Sequence, residues 1–361
     1  MPPWLAVQPE LAHVGAADAQ AGAARGAVGT GAIARWVTVG AVLLVAALLP
    51  QLVDHYFLRT AILLVYSAYL AQCWNIVGGY AGQFSFGHAT FFGIGAYTTA
   101  ILFIRWGISP WIGMWAGALL AAATGVFLGS LSFRYGLKGP YFSLATLAFA
   151  EIFRILALNW DAVGGPRGML LPLRESFWNY QFPEESTYYY VILVMLIAVT
   201  ALVAWLAHTR WGMYFQALRE DEDAAEALGV DTTRHKLLAM ALSSAAIALG
   251  GTFYLQHMFY IDPDLAFGID VSVNALLPAI VGGPGTVWGP LVGALVLTPL
   301  GEFTRSALGG YGGVHLMLYG AVLITVILLL PGGLLSLPER WRERSRRGGP
   351  AARREGERGA A

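Results

Sequence analysis

The chain has 361 residues, of which 57% are hydrophobic and 12% are charged. Soluble globular domains carry about 25% charged residues, so this composition is typical of a protein that lies in a lipid bilayer. The formal net charge is zero, which gives no indication of a nucleic-acid partner. The single cysteine, Cys73, excludes a disulfide within the chain.

Apolar stretches of about 17 to 25 residues, long enough to cross the hydrocarbon core as helices, recur along the chain. Eight such spans are predicted, at residues 36–53, 59–77, 84–104, 111–131, 141–158, 188–207, 237–260 and 312–330. A further apolar region, residues 271–304, is interrupted by the string IVGGPGTVWGP and forms either two short spans or one re-entrant hairpin. The expected fold class is all-α, a polytopic integral membrane protein with 8–10 spans.

Basic residues predict the orientation of these spans. With the N-terminus inside, 16 of the 22 Lys and Arg residues are cytoplasmic, five are outside, and Arg154 lies within a span. Both termini are then cytoplasmic. Residues 1–35 and 339–361 are expected to be disordered tails, and residues 36–338 form the transmembrane domain. The outside segment 159–187 is the best candidate for a docking surface.

A glycine-rich string, GYAGQFSFGHATFFGIGAY, opens the third predicted span. Glycine destabilises helices, so a kinked or discontinuous helix that lines a cavity is expected. Ser85 and His88 are three residues apart and would share one face. His88 either forms a hydrogen bond between helices or lines a pathway. A hydrolase is a weak alternative, because position 83 is Gln where a nucleophile elbow requires Gly.

Two charged residues, Glu151 and Arg154, lie three positions apart in the fifth predicted span. A lone charge at the bilayer centre is costly, so each requires a partner or water. The favoured interpretation is an internal ion pair that fixes helix packing. The alternative is a proton-relay carboxylate, which would indicate a secondary transporter.

The longest internal cytoplasmic segment is QALREDEDAAEALGVDTTRHK, residues 216–236. At 100° per residue, one arc collects mainly apolar side chains, and Asp221 is the one charged residue among them. These apolar residues are Tyr214, Ala217, Leu218, Ala224, Ala225 and Leu228. The pattern predicts one short amphipathic helix that ends at Gly229. Asp231 or Thr232 would cap the following span. This helix either links two spans as a solvated loop or docks into a partner.

Six glycines and prolines lie within nine residues in the string VGGPGTVWGPLVGA, which therefore cannot be a regular helix throughout. Half-helix ends at this position would bind a substrate carboxylate. The alternative is a tight turn, with Thr286 as the cap of the helix that follows. Three glycine pairs have the spacing that permits close helix packing: Gly113 and Gly117, Gly125 and Gly129, and Gly289 and Gly293.

The string DAAEALG, residues 223–229, resembles the Glu-Ala-Ala, three residues, Gly motif of bacterial ABC importer permeases; Asp223 stands where Glu is usual, and no Leu-Pro follows. Longer strings resemble the permeases of branched-chain amino-acid importers, a family that includes urea and short-chain amide permeases. They are WNIVGGYAGQFSFGHATFFGIGAYTTAIL, KGPYFSLATLAFAEIFRILALNW, GMYFQALREDEDAAEALGVDTTRHKLLAMALSSAAIALGG and GGPGTVWGPLVGALVL. The resemblance extends from the second predicted span nearly to the last.

This resemblance implies that residues 212–236 contain a coupling helix that sits in a cleft of an ATPase subunit. The residues implied in coupling are Leu218, Arg219, Glu222, Asp223, Ala224, Ala225, Leu228 and Gly229. The translocation pathway would be lined from spans three, five and the interrupted region. Its candidate residues are Ser85, His88, Tyr141, Thr146, Glu151, Gly283, Gly285 and Thr286.

The resemblance also implies partners: a second permease subunit, two ATPase subunits and a soluble substrate-binding protein, in the bacterial inner membrane. A P-loop requires Gly-Lys-Ser/Thr, and the two lysines, Lys138 and Lys236, precede Gly139 and Leu237. The chain is therefore expected to be a transporter subunit without its own ATPase site, cofactor or metal. ATP-Mg would be bound by the partner ATPases. Branched-chain or other hydrophobic amino acids are the expected substrates, with urea or short amides as the alternative.

Overall fold

The computed structural model describes residues 40–41, 44–308, 317, 320–321, 324–325, 328 and 332–336. The predicted tails, most of the predicted last span and the first part of the predicted first span lie outside these residues. Residues 44–52 are helical. The chain divides into two units, Met1–Asp54 and His55–Ala361, and every element described below belongs to the second unit.

The described part of the second unit is built almost entirely of helices. In chain order they are α1 His55–Trp74, continued by a π-helical segment Asn75–Tyr80, α2 His88–Trp106, α3 Pro110–Arg134, α4 Pro140–Leu158, α5 Glu185–Ala207, α6 Arg210–Glu220, α7 Glu222–Ala227, α8 Thr232–Met258, α9 Pro263–Phe267, α10 Ile269–Gly282 and α11 Gly289–Leu308. Two strands, β1 Met169–Leu170 and β2 Tyr260–Ile261, pair antiparallel.

Six segments of the described chain are long and apolar enough to cross a membrane. They are His55–Tyr80, Pro110–Arg134, Pro140–Leu158, Glu185–Ala207, Thr232–Met258 and Pro263–Gly282. The first five overlap predicted spans, and the sixth falls partly in the interrupted region 271–304. The prediction of a polytopic helical membrane protein is confirmed.

Close helix packing depends on the predicted glycine pairs. A Cβ atom at Gly117 would lie 3.0 Å from the Gly95 Cα atom of α2, and one at Gly125 would lie 2.3 Å from the Ser244 Oγ atom of α8. A Cβ atom at Gly293 would lie 1.8 Å from the Pro278 carbonyl oxygen. Since lipid supplies no hydrophobic force between helices, small residues that permit close van der Waals contact stabilise the bundle. The packing role of these glycines is confirmed.

The helical structure is interrupted between Tyr80 and His88, so α2 begins four residues later than the predicted span 84–104. The backbone here turns at Gly82, where φ is +68°. Side chains satisfy the irregular segment: Trp74 Nε1 donates to the Ser85 carbonyl oxygen at 2.9 Å, and Ser143 Oγ donates to the Phe84 carbonyl oxygen at 2.7 Å. Buried backbone groups outside regular structure require such protein partners. The predicted discontinuity is confirmed.

The segments that connect the long helices form two separate groups, one at each end of the bundle. One group, which we call the α7 end, comprises residues 81–87, 135–139, 208–231 and 283–288; Lys138 there bonds Asp223. The other, which we call the strand end, comprises residues 107–109, 159–184 and 259–262. Here β1 pairs with β2, and Trp111 Nε1 donates to the Phe177 carbonyl oxygen at 2.8 Å. Successive long helices therefore run in alternating directions.

Candidate functional site

The charged segment of residues 216–236 forms two short helices, so the predicted single amphipathic helix is wrong. The chain leaves α6 at Asp221, whose backbone is extended at φ −157° and ψ 110°. The Asp221 carboxylate accepts from the Ala224 backbone N–H at 3.0 Å. An Asp side chain at an N-cap favours the start of a new helix. The one charged residue in the predicted apolar arc is therefore the cap at which the helix breaks.

The break redistributes the residues of that arc. Leu218 and Ala225 are each 4% exposed and face the bundle. Ala224 is exposed, and Leu228 is 87% exposed. Tyr214 and Ala217 of α6 are exposed as well. The predicted continuous apolar face is therefore divided between α6 and α7, and its exposed members on and just after α7 are available to a partner.

The predicted caps on either side of this turn are confirmed. Gly229 has φ +86°, and its N–H donates to the Glu226 carbonyl oxygen while the Val230 N–H donates to that of Ala225. This is the Schellman pattern, which requires a left-handed residue after the helix. Asp231 then caps α8 by accepting from the Arg234 backbone N–H at 2.9 Å. A tight turn joins α7 directly to the long helix α8.

A charged network that the sequence analysis missed fastens α7 to α8 and to the α3–α4 loop. Lys236 Nζ lies 2.5 Å from Glu222 Oε1, and these side chains are 5% and 17% exposed. Lys236 also lies 4.5 Å above the centre of the Phe133 ring. Lys138 Nζ lies 2.7 Å from Asp223 Oδ1, with side chains 55% and 83% exposed. Lys236 lies near the start of a long apolar helix, where a lysine requires an anionic partner. That requirement could have predicted an ion pair from the sequence.

The two exposed members of this network, Lys138 and Asp223, shift each other's pKa. The hydrogen bond from Lys138, together with its charge, holds the pKa of the Asp223 carboxyl below its usual range. The hydrogen bond to Asp223 and the charge of Glu222 raise the pKa of Lys138. Both groups are therefore charged at neutral pH.

Arg219, at the end of α6, is an exposed residue whose guanidinium reaches two backbone carbonyls. Its Nη1 donates to the Gly79 carbonyl oxygen at 3.1 Å and to the Pro284 carbonyl oxygen at 3.2 Å. Gly79 belongs to the π-helical segment after α1, and Pro284 to the loop between α10 and α11. One guanidinium therefore connects α6 to both interruptions in the helices.

The predicted half-helix region forms an ordered loop between α10 and α11. Gly283 and Gly285 have φ values of +128° and +74°. Thr286 Oγ1 accepts from the Gly289 backbone N–H at 3.0 Å and so caps α11, as predicted. Asn75 holds the loop to the end of α1, because its Oδ1 accepts from Gly285 N at 2.8 Å and its Nδ2 donates to the Thr286 carbonyl oxygen at 2.9 Å.

The Ser85 and His88 side chains do not form a pair with each other. Ser85 Oγ accepts from the Gly87 backbone N–H at 3.2 Å. His88 Nε2 lies 2.8 Å from Ser243 Oγ, which donates to the Cys73 carbonyl oxygen at 2.7 Å, so Nε2 is the donor to Ser243. Both side chains are fully buried. His88 thus joins α2 to α8. The Ser85 and His88 side chains do not form the hydrogen bond with each other that a hydrolase would need.

Two candidate residues of α4, Tyr141 and Thr146, lie on opposite faces of the helix. Thr146 is 3% exposed, and its Oγ1 accepts from the Phe86 backbone N–H at 3.1 Å. Tyr141 is 72% exposed. It begins a stripe of exposed residues at helical spacing, comprising Tyr141, Leu144, Ala148, Glu151, Ile152 and Ile155. Thr146 therefore supports the interrupted segment, whereas Glu151 and Tyr141 share the open face.

Glu151 and Arg154 form the predicted ion pair, and the structure adds a third member. Arg154 Nη2 lies 2.5 Å from Glu151 Oε1, while its Nη1 lies 2.6 Å from Asp264 Oδ1 on α9. The Glu151 and Asp264 side chains are 51% and 70% exposed. Arg154 therefore connects α4 to α9 near the strand end, and two carboxylates remain open at the surface.

These features define a class of protein: a polytopic helical membrane protein with a charged helix fastened to its spans at one end and interrupted helices beside it. Residues 56–327 match the family described as branched-chain amino acid transport system / permease component. The match covers most of the chain, so the chain belongs to this family of transporter permeases.

Individual relatives agree with the family. The high-affinity branched-chain amino acid transport system permease protein LivM of Escherichia coli is 29% identical over 82% of this chain and 74% of its own length. LivM of Salmonella typhimurium is 28% identical over the same shares. LivH of Escherichia coli, another permease protein of such a system, is 26% identical over 75% of this chain and 92% of its own length. No solved structure matches the chain.

Proposed function

We propose that the chain is the membrane-spanning permease subunit of an ATP-binding-cassette importer for branched-chain or other hydrophobic amino acids in the bacterial inner membrane. The observation that carries the proposal is the family match over residues 56–327. The relatives named LivM and LivH support a second, related permease subunit as a partner. Two ATPase subunits that bind ATP-Mg and a soluble substrate-binding protein complete the proposed assembly.

The proposed energy input is the contact between α7 and an ATPase subunit. Ala224 and Leu228 offer a small apolar surface, flanked by the carboxylates of Asp223 and Glu226. Such a helix face fits a groove in a partner. Because Glu222 is bonded to Lys236 of α8, displacement of α7 would be passed to a membrane-spanning helix and would switch access between the two sides.

A substitution at this surface tests the coupling role. In the assembled transporter in proteoliposomes, Ala224→Arg should abolish ATP-driven uptake of leucine, because a long cation would block close approach of the partner. The conservative variant Ala224→Ser should retain uptake. Normal uptake by Ala224→Arg would show that α7 is not the coupling element.

The proposed orientation places the α7 end in the cytoplasm, and the loop between α10 and α11 with it. Basic residues support this assignment, since Arg134, Lys138, Arg210, Arg219 and Arg234 lie at or next to the α7 end. On this proposal residues 263–308 cross the membrane twice, both termini are cytoplasmic, and the segment 159–187 faces the binding protein.

Labelling from one side of the membrane tests the orientation. Cysteines introduced at Leu228 and Leu173, which are 87% and 72% exposed, should react differently with a membrane-impermeant maleimide in intact cells: only the one at position 173 should react. The native Cys73 is fully buried and serves as the internal background. Labelling at position 228 in intact cells would show that the proposed orientation is wrong.

The open face of α4 is proposed to lie against the second permease subunit and the pathway. A charge exposed to the bilayer interior costs about 2.5–3.5 kcal/mol, and Glu151 is 51% exposed on this face. Helix α5 differs from α4, because it carries no charged side chain after Glu185. We therefore propose that the exposed face of α5 contacts lipid and that the stripe from Tyr141 to Ile155 contacts protein or water.

Substrate class is tested by competition. Uptake of labelled leucine by the assembled transporter should require ATP and should be inhibited by excess isoleucine and valine. Inhibition by urea or acetamide, with no effect of the amino acids, would assign the chain to short amides instead.

A further inference from the structure

Two interruptions of the transmembrane helices meet at one side chain. The first is the π-helical segment Asn75–Tyr80 with the irregular residues that follow it, and the second is the loop of residues 283–288. Carbonyls at the ends of helices lack partners within the helix. Arg219 supplies donors to one carbonyl of each interruption, those of Gly79 and Pro284.

The backbone around Arg219 is shaped for this contact. A Cβ atom at Gly285 would lie 1.9 Å from Arg219 Nη1, and Gly285 has φ +74°. A Cβ atom at Gly82 would lie 3.0 Å from the Arg219 Cα atom, and Gly82 has φ +68°. Both positions have backbone conformations that favour glycine, and a side chain at either position would crowd Arg219. The two glycine-rich strings thus converge on one residue of α6.

The two interruptions are also bonded directly to each other. Asn75 exchanges two hydrogen bonds with residues 285 and 286, and Gln72 Nε2 donates to the Val287 carbonyl oxygen at 3.0 Å. The loop of residues 283–288 therefore moves with the end of α1. A pull on either carbonyl through Arg219 acts on both segments together.

We propose that Arg219 is a positioning residue that transmits movement of α6 and α7 to the two helix interruptions. This inference rests on the proposed function and extends it. Arg219 is exposed at the α7 end, but in this mechanism it links elements of the permease and does not contact the ATPase subunit. Arginine suits the role, because its planar guanidinium presents several donors in fixed directions and keeps its charge. Lysine also carries several donors, but they sit on one nitrogen at the end of a flexible stem, so their directions are not fixed.

The first experiment measures the link itself on the full-length chain in lipid nanodiscs. Amide hydrogen exchange is compared for the unaltered chain, Arg219→Gln, Arg219→Lys and the control Arg234→Gln, which alters an exposed arginine near the start of α8. Arg219→Gln should accelerate exchange in residues 79–87 and 283–288 together, with Arg219→Lys intermediate and the control unchanged. Unchanged exchange in either segment would overturn the link.

The second experiment measures transmission in the assembled transporter in proteoliposomes. Arg219→Gln should lower leucine uptake about tenfold, a factor that corresponds to a typical coupling free energy between two sites. ATP hydrolysis and co-purification of the ATPase should stay within about twofold of the unaltered complex. Loss of the ATPase from the complex would make Arg219 a partner contact and overturn the proposal, as would normal uptake. If the unaltered complex shows no ATP-driven uptake, the proposed function fails, and the exchange result still decides whether Arg219 holds the two segments.

Discussion

Charged side chains form a network at each end of the bundle, and the two networks are built differently. At the α7 end, Lys236 and Glu222 are 5% and 17% exposed, and Arg219 donates to backbone carbonyls. At the strand end, Arg154 holds Glu151 and Asp264, whose side chains are 51% and 70% exposed. Both networks join helices, but the pair of Lys236 and Glu222 is largely buried, whereas both carboxylates that Arg154 holds are exposed. The two ends therefore differ in the burial of these ion pairs, and we expect the buried pair to be the more rigid attachment.

The largest effect is expected from Lys236→Met. The substitution leaves the largely buried Glu222 without its close partner, and breaking a buried ion pair costs about 3–5 kcal/mol. Thermal unfolding of the purified chain should show a large fall in Tm. The exposed neighbour Arg234→Met should leave Tm nearly unchanged, and adding Glu222→Gln to Lys236→Met should restore part of the loss. A Tm for Lys236→Met equal to that of the control would mean that the pair at the α7 end is not a rigid attachment.

A smaller fall in Tm is expected from Arg154→Gln. This substitution removes the connection between α4 and α9, but the carboxylates that it leaves behind are more exposed and can be solvated. The same unfolding measurement, with Arg174→Gln as the control at the strand end, gives the comparison. If Arg154→Gln destabilised the chain more than Lys236→Met, the assignment of the rigid network to the α7 end would be reversed.

Replacement of the carboxylate itself should have little effect on transport. Glu151→Gln keeps an oxygen that can accept from Arg154, so ATP-driven leucine uptake should stay within about twofold of the unaltered complex. The measurement is initial uptake rate at several external pH values. Loss of uptake together with loss of its pH dependence would indicate a proton relay at Glu151 and would favour a secondary transporter.

The smallest effect is expected from Asp223→Asn, because the Lys138–Asp223 bond is solvent exposed. The lowered pKa of Asp223 means that its contribution is present above the ordinary carboxyl pKa of about 3.9 and is lost as pH falls through the lowered value. The raised pKa of Lys138 keeps the contribution constant until pH exceeds about 10.4. The small difference in Tm between Asp223→Asn and the unaltered chain should therefore be constant from about pH 5 to 9 and should vanish in acid. A difference that persists in acid would assign the effect to packing instead.

Local features of the site followed from the sequence. Gly229 and Asp231 were predicted as caps because helix ends depend on the nearest few residues. Thr286 was predicted as the cap of α11 for the same reason. The prediction of one continuous helix through Asp221 is wrong, because a helical projection treats every residue as part of the helix, whereas the Asp221 side chain caps a new one. The Glu151–Arg154 pair was predicted from its spacing, but Asp264, which is 110 positions from Arg154, was not.

The roles assigned to the coupling and pathway residues remain predictions, and the structure bears on them unequally. Thr146 and His88 bond neighbouring elements inside the bundle, and the Ser85 side chain bonds the backbone of its own segment. These are structural roles. Glu151 and Tyr141 lie on an open face, which is where a partner or pathway would meet them. The sequence treated all five alike, because residue type and depth in a span do not specify the direction in which a side chain points.

By itself the sequence determined the membrane environment, the positions of the long helices, their interruptions and their caps, since hydrophobicity and helix termination are properties of short stretches of chain. The tertiary structure alone decided which charges pair and what Arg219 holds. Gly79 and Pro284 lie 140 and 65 positions from Arg219, and no local propensity specifies contacts over such separations. They form because packing of the helices brings glycine-rich backbone to the same guanidinium, and uncompensated carbonyls beside it must find a donor.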